Sequence, residues 1–155
     1  MISHIKNKKP NIVDISKKKP TNRFAKASGL VKFSNNSFTK IKSLNTKKGE
    51  IENIAIIAGI LGAKKTSELI PLCHNIKIDK IDLKIETLDK IFALKITATV
   101  KAQEKTGVEM EALTSVTIAC LTIYDMCKSI DKKIIISDIK LEEKKGGKSD
   151  FINQK

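Results

Sequence analysis

Asp125 and Lys128 stand three residues apart in the stretch YDMCK, close enough on one helical face to interact. A solvated ion pair is the usual meaning of such spacing. Near the end of an otherwise apolar segment, facing a cleft, the two could instead form a proton-transfer couple, each tuning the other's pKa. A second candidate is Cys73-His74 in LIPLCH. Neighbouring side chains on an extended segment point to opposite faces, so these two do not readily pair as nucleophile and base. The expectation is Cys73 toward the core and His74 toward solvent or a cleft. As metal ligands they lack a spaced partner motif, and His4, in a basic N-terminal arm, does not supply one. A structural histidine and a ligand-facing histidine both stay open.

The stretch TGVEMEALT offers Glu109 and Glu111 around Met110. Carboxylates at a helix start are favoured electrostatically, and Thr106 with Glu109 fits a capping box. Two carboxylates beside a thioether could also line a pocket. Glu111 and Asp125 are 14 residues apart, about 21 Å along one continuous helix. Were both to contact one small ligand, they would come from different subunits. The stretch KKGGKSD resembles the end of a phosphate-binding loop, but the earlier glycine that motif needs would fall at Glu142. What remains is a Gly-Gly turn flanked by Lys144, Lys145 and Lys148, able to expose backbone N–H groups to a phosphate or to be a disordered tail.

The elements that position these residues follow from periodicity. Residues 49–66 read as a helix with Ile51, Ile54, Ala58 and Leu61 as its apolar face, stopped by Pro71. Residues 76–86 and 92–100 alternate as two strands of a hairpin, with a phase change that predicts a bulge near Asp79-Lys80. Residues 106–130 carry the strongest helix signal, with Leu113, Val116, Cys120, Ile123 or Tyr124, and Cys127 as its buried stripe. A strand, KIIISDIKLE, and a polar Gly/Lys tail at 144–155 close the chain. Helix, hairpin, helix and strand predict one α+β domain over 1–155, ferredoxin-like, with helices on one face of an antiparallel sheet. Residues 1–22 are expected to form a basic arm that orders only by docking on something else.

The net charge is +13, and its placement is uneven. Residues 1–50 hold 12 Lys, one Arg and two acids (+11); residues 51–155 hold 17 Lys and 15 acids (+2). Arg23 is the sole arginine, tryptophan is absent and aromatics make up 4%. That argues against a reader of duplex DNA, which leans on arginine forks, and against a single-strand binder, which needs stacking aromatics. Abundant Lys, Ile and Asn also suit an A/T-rich genome, so compositional drift and anion binding both account for the charge. Cys73, Cys120 and Cys127 form no CxxC pair and read as reduced thiols. No apolar stretch approaches the roughly 20 residues of a bilayer span, so no membrane association is expected.

Taken in order, KKTSELIPLCH, KTGVEMEALT, LTIYDMCK and KKGGKS closely resemble the MoaC family, the cyclic pyranopterin monophosphate synthases of molybdenum cofactor biosynthesis, and the weaker IVDIS and KKGE extend the resemblance from about residue 12. It implies a cytoplasmic lyase that turns a cyclised dihydro-GTP, a nucleotide-derived small molecule, into cyclic pyranopterin monophosphate with loss of diphosphate. It also implies a homohexamer, a trimer of dimers, with active sites between subunits and no nucleic-acid partner. By motif, Asp125 and Lys128 match the family's catalytic pair, and Leu72, Cys73 and His74 match its substrate-binding loop. Met110 with Glu111 matches a second substrate contact. Lys48, Lys144, Lys148 and Arg23 match further substrate-binding positions. No cofactor or resident metal is implied, though Mg2+ could accompany the triphosphate. Lys47, Ile56 and Asn75 depart from the family's common histidine, arginine and proline, and the tail lacks one glycine.

Overall fold

The computed structural model describes residues 4–6, 8–48 and 50–153, with the side chains of 6 and 44–48 left aside. Two short strands, β1 (Ile5–Lys6) and β2 (Lys9–Pro10), form a small hairpin. The main body then runs β3 (Thr21–Lys32), α1 (Asn35–Lys48), α2 (Glu50–Lys64), α3 (Thr66–Leu69), β4 (Lys80–Leu88), β5 (Ala93–Glu104), α4 (Glu109–Cys127), β6 (Ile135–Lys145) and β7 (Phe151–Ile152). The sheet order is β4-β5-β3-β6-β7, all antiparallel. A helical crossover joins β3 to β4 and another joins β5 to β6, which is the expected ferredoxin-like α+β arrangement.

β3 is the central strand, yet periodicity alone does not point to it. Its buried residues are Ala25, Ala27, Ser28, Gly29 and Val31. A Cβ at Gly29 would sit 2.8 Å from Val116 Cγ1 and 3.4 Å from Cys120 Sγ, so small residues here let α4 lie close on the sheet. From the other strands Leu94, Ile96, Ala98 and Val100 of β5 join Val116, Ala119, Cys120 and Ile123 of α4 in the core. Full burial of an aliphatic side chain such as Ile123 is worth roughly 1.5–3 kcal/mol.

α2 forms where the sequence predicts a helix, but it turns a different face inward. Ile51, Ala55, Gly59, Gly62 and Ala63 are buried, while Ile54 and Leu61 of the expected stripe are exposed. The reason is again close approach: a Cβ at Gly59 would meet Ser115 O at 2.9 Å, and one at Gly62 would meet Ile118 Cγ1 at 2.7 Å. α4 buries the expected side, adding Ala112, Ser115 and Ala119. By length and composition it could cross a membrane, at 19 residues and a mean hydropathy of 1.2, contrary to the expectation of no such stretch. Its packing on the sheet and on α2 is that of a core helix.

The bulge expected near Asp79-Lys80 is absent. β4 pairs with β5 without a register shift from Lys80 opposite Lys101 to Leu88 opposite Ala93. Ile76 and Ile78 precede the strand, and Asp79 closes its end: its N–H donates to Lys101 O at 3.0 Å and its Oδ2 accepts from Gln103 N–H at 2.8 Å. Register shifts occur instead between β3 and β6, where Asp138 has φ 55°.

Candidate active site

The turn that carries Leu72, Cys73 and His74 is set by α3. Thr66 Oγ1 donates to Ala63 O at 2.9 Å, Ile70 N–H to Thr66 O, and Cys73 N–H to Ile70 O at 3.1 Å. Pro71 cannot donate, which ends the helix. Just past the turn at Pro71 and Leu72, Cys73 and His74 do not separate to opposite sides. Both are half-buried and line one cavity of about 290 Å3, so Cys73 is not a core residue. His74 Nε2–H donates to Val13 O at 2.8 Å. A carbonyl can only accept, so the ring carries a hydrogen on Nε2.

The opposite wall of this cavity comes from the loop before α4 and its first turn: Thr106, Gly107, Glu109, Met110 and Glu111. The capping box does not form. Val108 precedes the helix without a side-chain cap, and Thr106 lines the cavity. Glu109 folds over Gly107 and pairs with Lys144 at 3.2 Å, which draws it away from a capping role. Glu111 is only 3% exposed, and its Oε2 has no hydrogen-bond partner. Burial raises its pKa to about 7; its own backbone N–H lowers it, and the Glu109 carboxylate raises it further. Burial, then Glu111, pushes the Cys73 thiol up as well. This makes Cys73 a poor thiolate at neutral pH.

A second cavity, of about 450 Å3, adjoins the first and shares Thr106, Gly107 and Glu109 with it. Its character is cationic. Lys18 and Lys19 come from the arm, Arg23 from β3, Lys105 from the loop, and Lys144, Lys145 and Lys148 from β6 and the turn beyond. Arg23 also braces the loop, Nε–H donating to Glu104 O at 2.9 Å and Nη2–H to Lys105 O at 3.1 Å. The Gly-Gly segment is an ordered turn between β6 and β7. Gly146 has φ 83°, and a Cβ there would lie 1.9 Å from Asn22 O, so only glycine fits. Gly146 N–H is taken by Asp150 Oδ1 at 3.1 Å, and Thr21 Oγ1 donates to Gly146 O at 2.7 Å. That amide is therefore already engaged, and the cationic lining of the cavity comes from the lysines and Arg23.

The structure thus brings Leu72, Cys73, His74, Met110 and Glu111 to one cavity and Arg23, Lys144 and Lys148 to its neighbour. It does not bring Asp125 and Lys128 to either. They form an exposed ion pair near the far end of α4, Lys128 Nζ to Asp125 Oδ1 at 2.5 Å. That hydrogen bond, and the carboxylate's charge, raise the pKa of Lys128. Lys48 ends α1, and its side chain lies outside the described residues, as does that of Lys47. Sequence reasoning passed over Lys18, Lys19, Lys105, Thr106 and Gly107 as site residues, although Lys105 to Gly107 head the KTGVEMEALT stretch. Among the described residues no group of three or more His, Cys, Asp and Glu could hold a metal ion. The cationic cavity has one carboxylate, Glu109, already paired with Lys144, a donor set that does not fit a resident divalent ion.

A basic cavity beside a smaller one with a buried carboxyl and an imidazole suits a ligand with a polyanionic end and a polar ring end. Comparison with known proteins agrees. The model of the MoaC family matches residues 12–147. A cyclic pyranopterin monophosphate synthase of Campylobacter jejuni (strain RM1221) is 51% identical over 149 residues, covering 96% of this chain and 95% of that protein. One of Helicobacter pylori (strain G27) is 48% identical over 156 residues, covering 100% and 99%. The chain belongs to the MoaC family.

Proposed function

We propose that the protein is a cyclic pyranopterin monophosphate synthase, a lyase converting (8S)-3',8-cyclo-7,8-dihydroguanosine 5'-triphosphate into cyclic pyranopterin monophosphate and diphosphate. The observation that carries this reading is the junction of the two cavities across Thr106, Gly107 and Glu109. One triphosphate could lie among Arg23, Lys144 and Lys148 while the ring end meets Leu72, Cys73, His74, Met110 and Glu111.

In forming the cyclic phosphate, a ribose hydroxyl oxygen attacks the α-phosphorus and the α–β bridging bond breaks. Diphosphate departs with the electron pair. Charge on the leaving diphosphate is met by the cations of the larger cavity. Rearrangement of the purine-derived rings requires proton transfers, which we assign to Asp125 as base and Lys128 as acid. Lys128, whose pKa the Asp125 hydrogen bond raises, holds the proton that such a step would pass on. A Mg2+ ion would enter on the triphosphate rather than on protein ligands.

Within one chain Asp125 is about 21 Å along α4 from Glu111, so the pair reaches the substrate from a neighbouring subunit. Leu121 and Tyr124, beside the pair, are exposed apolar groups, as are Ile54, Ile57 and Leu61 on α2. They suit burial against further copies, in keeping with a homohexamer, a trimer of dimers. Free Cys73, Cys120 and Cys127 suit a reducing cytoplasm. The test is incubation with the cyclised nucleotide, following the cyclic product and diphosphate; no product from an intact oligomer would overturn the assignment.

A further inference from the structure

His4 lies ahead of residues 12–147, the span that the family model matches. In the structure it lines the 290 Å3 cavity together with Cys73, His74, Met110 and Glu111. The arm's own folding brings it there. Ile5 pairs with Pro10 and Lys6 with Lys9, and Asn11 N–H donates to His4 O at 2.8 Å, closing a small hairpin. Beyond it the chain is fastened to both walls of the site. His74 Nε2–H donates to Val13 O, and Lys105 Nζ donates to Ser16 O at 3.2 Å.

His4 Nδ1 and Glu111 Oε2 are both buried and both lack a hydrogen-bond partner. Leaving such an atom unpaired forfeits its hydrogen bonds to water with nothing in return. Native structures rarely leave buried polar groups unmatched, and two of them in one small cavity call for a common explanation. A planar heterocycle with ring N–H, amino and carbonyl groups supplies both donors and acceptors, and would satisfy the two atoms at once.

We propose that His4 is a substrate-contacting residue, its Nδ1 and Glu111 Oε2 together binding the heterocyclic end of the substrate, so that the arm is part of the site. The proposal rests on the function assigned above and deepens it. The nitrogen needed is the one nearest the backbone, which an asparagine can imitate and a phenylalanine cannot. His4→Phe keeps a flat ring to pack the arm and removes the polar atom. His4→Asn keeps a polar atom near the same place.

The decisive experiment measures kcat, KM and calorimetric binding of the cyclised dihydro-GTP for the full-length wild type and both variants, with melting temperature and oligomer size in parallel. His4→Phe should weaken binding and raise KM about tenfold, the loss of one hydrogen bond, with melting and oligomer unchanged. His4→Asn should recover most of that loss. Wild-type affinity in His4→Phe overturns the proposal, since His4 would then only pack. Equal losses in both variants with a lowered melting temperature overturn it too, as a purely structural arm. A wild type that binds the substrate without turning it over sinks the assigned reaction and leaves the binding comparison to decide His4.

Discussion

The two ends of α4 carry carboxylates in opposite circumstances. At the N-terminal end Glu111 is buried against the turn of Leu72 to His74, with one oxygen unpartnered and a pKa of about 7. At the C-terminal end Asp125 faces solvent beside Lys128, outside both cavities described above. Burial within the chain tunes the first group. The second sits in an exposed pair, which water screens and leaves with little energetic weight. An end built this way becomes chemically potent when another surface excludes the water around it. The contrast fits the proposed division of labour, in which recognition falls to the end finished within the chain and proton transfer to an end completed by a neighbouring subunit.

The strongest way to break that contrast is Lys128→Ala. Turnover should fall on the order of 1000-fold, within the usual range for loss of an acid-base group, with the oligomer intact. Mixing this variant with His74→Ala sharpens the result, since hybrid oligomers should regain activity if each site draws on two subunits. No recovery in verified hybrids would place both ends in one chain's site.

Glu111→Gln probes the other end through stability. A carboxyl raised from 4.5 to about 7 on folding contributes stability that is fully present below pH 4.5. That contribution is lost as pH rises through about 7. The variant should lack this slope and gain on the wild type above neutral pH by on the order of 3 kcal/mol. Denaturant melts at pH 4, 6 and 8 would measure it, and parallel curves for the two proteins would refute a strained carboxyl. A smaller effect is expected for Gly146→Ala, where a side chain meets Asn22 O and the backbone has φ 83°. A loss of about 1–3 kcal/mol in thermal stability should accompany a raised KM for the triphosphate. The least effect of all should come from Asp125→Asn on the melting temperature, which should stay at the wild-type value while activity falls.

What could be seen in advance and what could not divides along one physical line. α2, α4 and the β4–β5 hairpin show in the sequence because bulky apolar residues recur at their periods. β3 escaped because its inward positions include Ala25, Ala27 and Gly29, made small by the close approach of α4. The same cause misdirected the reading of α2. Gly59 and Gly62 take the tight crossing with α4, and Ile54, Ile57 and Leu61 are left outside. Where elements approach most closely, the interior is lined with the least hydrophobic of the nonpolar residues, and a pattern of large side chains marks another surface.

At the site the division is similar. The sequence alone determined the kinds of chemistry available, since Asp125 with Lys128, the Cys73-His74 turn, the paired glutamates and the Gly/Lys segment are legible as residue types at fixed spacing. It also determined that Glu111 and Asp125 cannot meet within one helix, because helical rise is a constant of the backbone. Only the tertiary structure decided that Thr106 lines a cavity instead of capping α4, that Glu111 is desolvated, and that Lys18, Lys19 and Lys105 join the tail lysines. Those outcomes depend on which distant segments exclude water from a side chain. Local spacing carries no record of that, since burial is a property of the assembled surfaces and not of the chain's order.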